Sequence, residues 1–128
     1  MKRLAVALAL VASTASAQPV RQFDLVCEVE VAFWKGSLTN VTRTANMTLR
    51  HSLDLDRNVW WPTPDYIVVP IIRVSDDMFV LFDGGGQKRT IDRRTGVYYD
   101  HQAFGGSGWV AHGTCERAPF TPPPPQKF

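Results

Sequence analysis

Three histidines and a scatter of carboxylates are the residues of this chain that could carry metal or proton chemistry. His51, His101 and His112, taken with Asp24, Asp54 or Glu116, have the donor types that zinc accepts. None stands at a ligand spacing such as HxxxH or HxH, so no metal site is expected. Asp54 and Asp56 lie two apart, as a glycosidase pair can on one strand, but they adjoin a turn, where Asp caps the backbone. The glycines of "DGGGQKR", residues 83–89, would expose amides ahead of Lys88 and Arg89, the chemistry of a phosphate loop. The strand-to-helix context of such loops is missing, which makes a flexible hairpin loop the better reading. No GxSxG, P-loop or dinucleotide fingerprint occurs, and no cofactor is implied.

Two further sets of residues suggest binding. Lys88, Arg89, Arg93 and Arg94 form a candidate basic surface, with Tyr98 and Tyr99 nearby, suited to an anionic partner such as lipopolysaccharide, a polysaccharide or nucleic acid. Asp92 offsets part of that charge, and salt at ~0.15 M screens exposed charges beyond ~8 Å, so a solvated loop is the plainer expectation. Trp34, Trp60, Trp61 and Trp109 are many for a chain of this size. Large aromatics usually fill cores but also line ligand mouths at barrel rims, which makes these four the candidate ligand-lining residues.

The elements that must position these side chains read as strands. In "FDLVCEVEVAF", residues 23–33, Phe23, Leu25, Cys27, Val29, Val31 and Phe33 share one face, and Asp24, Glu28 and Glu30 the other. "NMTLRHSLDL", residues 46–55, repeats the pattern, with Met47, Leu49, Leu53 and Leu55 inward and His51 interrupting the row as a core histidine. "YIVVPIIRV", residues 66–74, and "MFVLF", residues 78–82, are apolar on both faces, as in strands covered on two sides. Pro70 cannot donate to a ladder, which marks an edge or a bulge. "RTI", "VYYDH" and "WVAHGTCE" complete the set, the last aligning Trp109, Ala111, Gly113 and Cys115 on one face. His112 and Glu116 fall on its outer face, where solvated polar residues are the ordinary case. No window holds an amphipathic helix of useful length.

Turn chemistry supports the strand reading. "DRRTG", residues 92–96, enters on an Asp that accepts backbone hydrogen bonds and leaves on a Gly that takes the left-handed conformation of a turn with a bulge. Asp56-Arg57-Asn58 makes a second turn, with Asn58 tolerant of positive φ. Asp76-Asp77 reads as a third. "SLTNVTR", residues 37–43, reads as a polar connection, and Asn40 and Asn46 match the glycosylation sequon.

Residues 1–17 have the pattern of a cleaved signal peptide: Lys2 and Arg3, an apolar run from Leu4 to Ala12, then Ala15-Ser16-Ala17. The run is too short to span a membrane. Cleavage before Gln18 shortens the 128-residue chain to 111 residues, enough for one domain. The chain has 14 basic and 12 acidic residues, and loss of Lys2 and Arg3 brings the two into balance. A balanced charge argues against a nucleic-acid partner. The two cysteines, Cys27 and Cys115, lie near opposite ends of the domain, and export makes a disulfide the default for such a pair. That bond would bring the first and last strands together. "APFTPPPPQKF", residues 118–128, reads as an extended or disordered proline-rich tail unable to join a sheet.

Phe23-Asp24-Leu25-Val26-Cys27, the midway "LDLDRNVWW", "IDRRTGVYY" and the closing Gly113-Thr114-Cys115 resemble a family of small exported proteins of unassigned function from Gram-negative bacteria, chiefly alphaproteobacteria. The resemblance spans most of residues 23–115. Some members carry further cysteines just after the midway tryptophan; here Trp61-Pro62 follows Trp60, and that extra bridge is absent. The resemblance implies export and a shared fold, and it carries no activity.

The expected architecture is an all-β antiparallel meander of about six to eight strands, forming a small barrel or half-open sandwich with its ends tied by the disulfide. The domain should run over residues 18–117, between signal peptide and tail. The expected function is a non-enzymatic periplasmic or secreted module that binds a small apolar ligand or contacts an envelope protein. The alternative is a small hydrolase using an unrecognised set drawn from His51, Asp54, Asp56 and His112. Gathering of those four in a cavity would favour the hydrolase, and dispersal the module.

Overall fold

The computed structural model describes residues 20–63, 65 and 67–123. The expected signal peptide and residues 124–128 of the tail lie outside the described residues. Alternating apolar and polar side chains, broken by Gly, Asn and Asp turns, build nine strands among the described residues. They are β1 (Gln22–Lys35), β2 (Ser37–Asp54), β3 (Val59–Thr63), β4 (Val69–Pro70), β5 (Arg73–Val74), β6 (Met78–Gly84), β7 (Gln87–Asp92), β8 (Val97–Phe104) and β9 (Ser107–Ala118). They form one antiparallel sheet in the order β4-β3-β2-β1-β9-β8-β7-β6-β5, curled into a half-barrel.

The concave face takes the apolar rows. Phe23, Leu25, Cys27, Val29 and Val31 of β1 are buried there, with Leu53, Trp60, Phe79, Leu81, Ile91 and Tyr98 from the other strands. β1 pairs with β9 so that Cys27 stands opposite Cys115, and the two are joined by a disulfide. In a chain-entropy account, closing a loop of 88 residues lowers the unfolded state's freedom by about 4 to 5 kcal/mol at most. β4 and β5 are the two outer strands of the sheet yet neighbours in sequence. Ile71 donates its N–H to the Asn58 carbonyl at 3.0 Å and Ile72 to the Val80 carbonyl at 2.9 Å, so segment 69–74 straps one end of the curl together. The Trp60 indole reinforces the closure by donating to the Leu81 carbonyl at 3.2 Å, from β3 across to β6.

Three local expectations give way. Residues 37–43 are the first part of β2 rather than a loop, because the chain reverses at Gly36 (φ 83°) and the Thr and Val residues that follow suit an extended edge. The expected strand at 66–74 is not covered on both faces: among its described residues only Ile71 is buried, and Ile67 and Ile72 face solvent at 71% and 57% exposure. Pro70 and the crossing between the two sheet ends limit each pairing to two residues. The start of the tail is also docked. It lies over the convex face, where the Phe120 ring meets Trp61 edge-on at 5.6 Å and Arg50 donates to the Pro119 carbonyl at 3.2 Å. Thr121 donates to Asp24 from its N–H at 3.1 Å and its hydroxyl at 2.6 Å. Asp24, on the outward register as expected, is therefore buried rather than solvated, and Ser52 and Asp54 are buried as well.

The turns behave as their residues dictate. Asp92 Oδ1 accepts from the N–H groups of Arg94 and Thr95 at 2.8 and 3.0 Å, and Gly96 adopts φ 77°. Asn58 takes φ 56°. Gly84, Gly85 and Gly86 turn β6 into β7 as a hairpin.

Candidate functional site

The inward alternation carries more than apolar residues. Arg89 lies two residues before Ile91 on β7, and Asp100 two after Tyr98 on β8, so both charges project into the concave face. They pair directly across the ladder, Arg89 Nη2 to Asp100 Oδ2 at 3.1 Å. The same Oδ2 accepts from the Trp109 indole at 3.3 Å. Arg89 Nη1 approaches His51 Nε2 at 3.3 Å, linking β7 to β2 across the gap, and the guanidinium lies 5.5 Å from the Trp60 ring centre and 5.9 Å from that of Tyr98. Burial, with the Arg89 charge adding to it, pushes the His51 imidazole down to about 3, so the ring is neutral. Burial likewise raises the Tyr98 phenol, which stays protonated. His51 Nδ1, Arg89 Nε, Tyr98 OH and Asp100 Oδ1 are buried with no hydrogen-bond partner among the described residues.

Beside this cluster opens a pocket of about 250 Å³. Its walls are mostly apolar, from Val31, Phe33, Met47 and Leu49 on one side and Tyr98 and Ala111 on the other, and Arg89, Asp100 and Trp109 also line it. The pocket lies where β2 runs beyond its pairing with β3, which covers residues 50–54, so among the described residues the Met47 end of β2 has no paired strand on that side.

The four candidate tryptophans do not gather at one mouth. Trp60 and Trp109 face inward, whereas Trp61 is fully buried on the convex side under Phe120. Trp34 borders two further recesses, one with Phe104 and one with Tyr99. The basic residues separate as well. Arg89 is inside the curl. Lys88 is exposed on the outer face, Arg93 covers the Phe79 ring at 4.6 Å, and Arg94 pairs with Asp77 at 2.7 Å. Of the four residues named for a hydrolase, only His51 enters the concave face. Asp54 accepts from Gln22 at 3.1 Å and caps Arg57 at 3.2 Å, Asp56 pairs with the exposed Arg21, and His112 packs on Tyr99 outside. Among the described residues no group of three or more His, Cys, Asp or Glu is placed to hold a metal ion.

The fold and pocket together define a disulfide-tied β half-barrel with a charge-paired apolar pocket. Compared with family models, curated proteins and solved structures, the chain finds no match. Among the described residues no helix is long and apolar enough to cross a membrane.

Proposed function

We propose that the protein is an exported, non-enzymatic binding module whose concave pocket takes a small, mainly apolar ligand. The observation that carries this reading is the pocket of about 250 Å³ itself, apolar on its walls and set beside polar groups whose charges cancel. Apolar pockets with a few convergent polar groups are the usual form of small-molecule sites. Because Asp100 neutralises Arg89 and His51 is neutral, an uncharged ligand end fits better there than an anionic one. Dispersal of Asp54, Asp56 and His112 away from His51 favours the module over the hydrolase alternative. Export is supported by the pattern of residues 1–17, by the family resemblance, and by the Cys27–Cys115 bond, which suits a compartment where thiols are not kept reduced.

Titration of the protein's tryptophan emission with octanol and with octanoate tests the ligand reading. Saturable binding of the alcohol, weaker binding of the carboxylate, and loss of both in Met47→Trp, which fills the mouth from a half-exposed position, are expected. A non-saturable response, or one unchanged by Met47→Trp, would sink it. The intact mass of periplasmic material should begin at Gln18, and a retained leader would overturn export.

A further inference from the structure

The opposite end of the concave face holds a second recess, of about 370 Å³ and different chemistry. Its floor includes Phe23 and Phe79, whose ring centres are 6.0 Å apart. The alternation that turns Cys115 inward does the same to Arg117 two residues later, and its guanidinium stacks over Phe23 at 4.4 Å. Arg93 stacks over Phe79 at 4.6 Å and donates Nη1 to the Ser75 carbonyl at 2.6 Å, a neutral acceptor. Among the described residues neither Arg93 nor Arg117 makes an ion pair with a carboxylate. Arg94, at the rim, pairs with Asp77, but both side chains are mostly exposed, and such a pair holds its partners weakly. The lining carries one carboxylate, Asp92, and its Oδ1 is already engaged by the Arg94 and Thr95 amides. Three arginines thus border the recess against a single acid.

Stacking on a phenyl ring fixes the plane of a guanidinium while leaving the N–H donors along its edge available. Two such planes bordering one recess, with no counter-charge of their own, suit an anion with more than two acceptor oxygens and more than one negative charge. We propose that this recess is an anion site for phosphate or a phosphomonoester, held by Arg93 and Arg117 with Arg94 closing from the rim. It is separate from the pocket beside Arg89, where the charge is cancelled.

The test follows the arginine Nε–Hε resonances of the intact domain while inorganic phosphate is added, with potassium chloride at matched ionic strength as the control. Saturable shifts at Arg93 and Arg117, absent with chloride, are expected. Arg93→Met with Arg117→Met keeps apolar cover on both rings while removing the charges, and should weaken binding roughly tenfold or more, as loss of charge-assisted bonds does. Arg43→Met, exposed and opposite Phe33 at the other end of β1, should leave it unchanged. Should the double variant unfold, Arg117→Met alone, with its fold checked by the same spectra, takes its place. Hexyl phosphate in a parallel titration separates the sources: tighter binding than phosphate assigns the site to an amphiphile's head group, and equal binding to the free anion. Equal shifts with chloride, or phosphate binding that survives the Met variants, would overturn the proposal.

Discussion

Arg89 and Asp100 face each other directly across the β7–β8 ladder, their side chains 3.1 Å apart on the concave side of the sheet. Asp100 is 3% exposed, so this partner meets it almost out of solvent. Arg89→Met should cost about 3 kcal/mol or more, because it leaves a buried carboxylate unpaired. The double variant Arg89→Met with Asp100→Leu should recover much of that loss. Urea unfolding of the two singles and the double gives the coupling; an additive result would show that the pair is not desolvated as described.

His51 sets a pH dependence. Its folded pKa is depressed to about 3, while an unfolded histidine titrates near 6.5, so between these values the unfolded chain holds a proton that the folded chain lacks. The neutral ring's contribution is therefore complete above about pH 6.5 and declines as pH falls toward about 3, by up to ~1.4 kcal/mol per unit. Asp24 adds to the acid sensitivity lower down. Burial alone would raise its carboxyl, but hydrogen bonds from Thr121, Ser52 and Arg50 outweigh that and hold it below 3.8, so its share is present above that value and lost below it. Unfolding midpoints between about pH 7 and pH 4.5 should fall in the wild type and stay nearly flat in His51→Gln. Parallel slopes would contradict a buried neutral His51.

The docked start of the tail is a structural element. Ending the chain at Ala118 removes Phe120 from Trp61 and Thr121 from Asp24, and should cost about 2 to 4 kcal/mol, with a red shift of tryptophan emission. Ending it at Thr121 keeps those contacts and should change stability by no more than ~0.5 kcal/mol. Equal stability of the two truncations would mean that the Asp24 latch does not form.

Gly96 separates backbone demand from surface charge in "IDRRTG". At φ 77°, with an added Cβ falling 2.6 Å from the Cys115 carbonyl oxygen, Gly96→Val should cost about 2 kcal/mol or more. Arg93→Ala with Arg94→Ala should cost less, since exposed charges contribute little. Thermal unfolding of the two compares them directly, and a silent Gly96→Val would remove the turn assignment.

Period-two patterning made β1 and β9 legible in the sequence, turn-residue chemistry the turns, and the default for an exported cysteine pair the Cys27–Cys115 link, because each depends on residues close together or on a single covalent pair. The same rule, extended past the apolar residues, would also have found the charged pair and Arg117: Arg89 with Ile91, Asp100 with Tyr98, and Arg117 with Cys115 are each two apart. Treating charge as a sign of the outer face hid them. The burial of Asp24 was beyond local reading, since it depends on Thr121, 97 positions away. So was the strap at 69–74, whose isoleucines are apolar enough for a core but serve to join two sheet ends.

Among the described residues every strand pairing except β1 with β9 joins elements adjacent in sequence. The chain is thus two meanders, β1–β4 and β5–β9, each able to form by short-range hairpin closure on microsecond scales. The slow, high-separation event is concentrated in a single ladder, and the folding rate should respond to substitutions along β1 and β9 far more than to those in the outer hairpins. With the disulfide formed beforehand, that ladder becomes a local contact, and an all-β domain acquires the kinetic character of a much lower contact order.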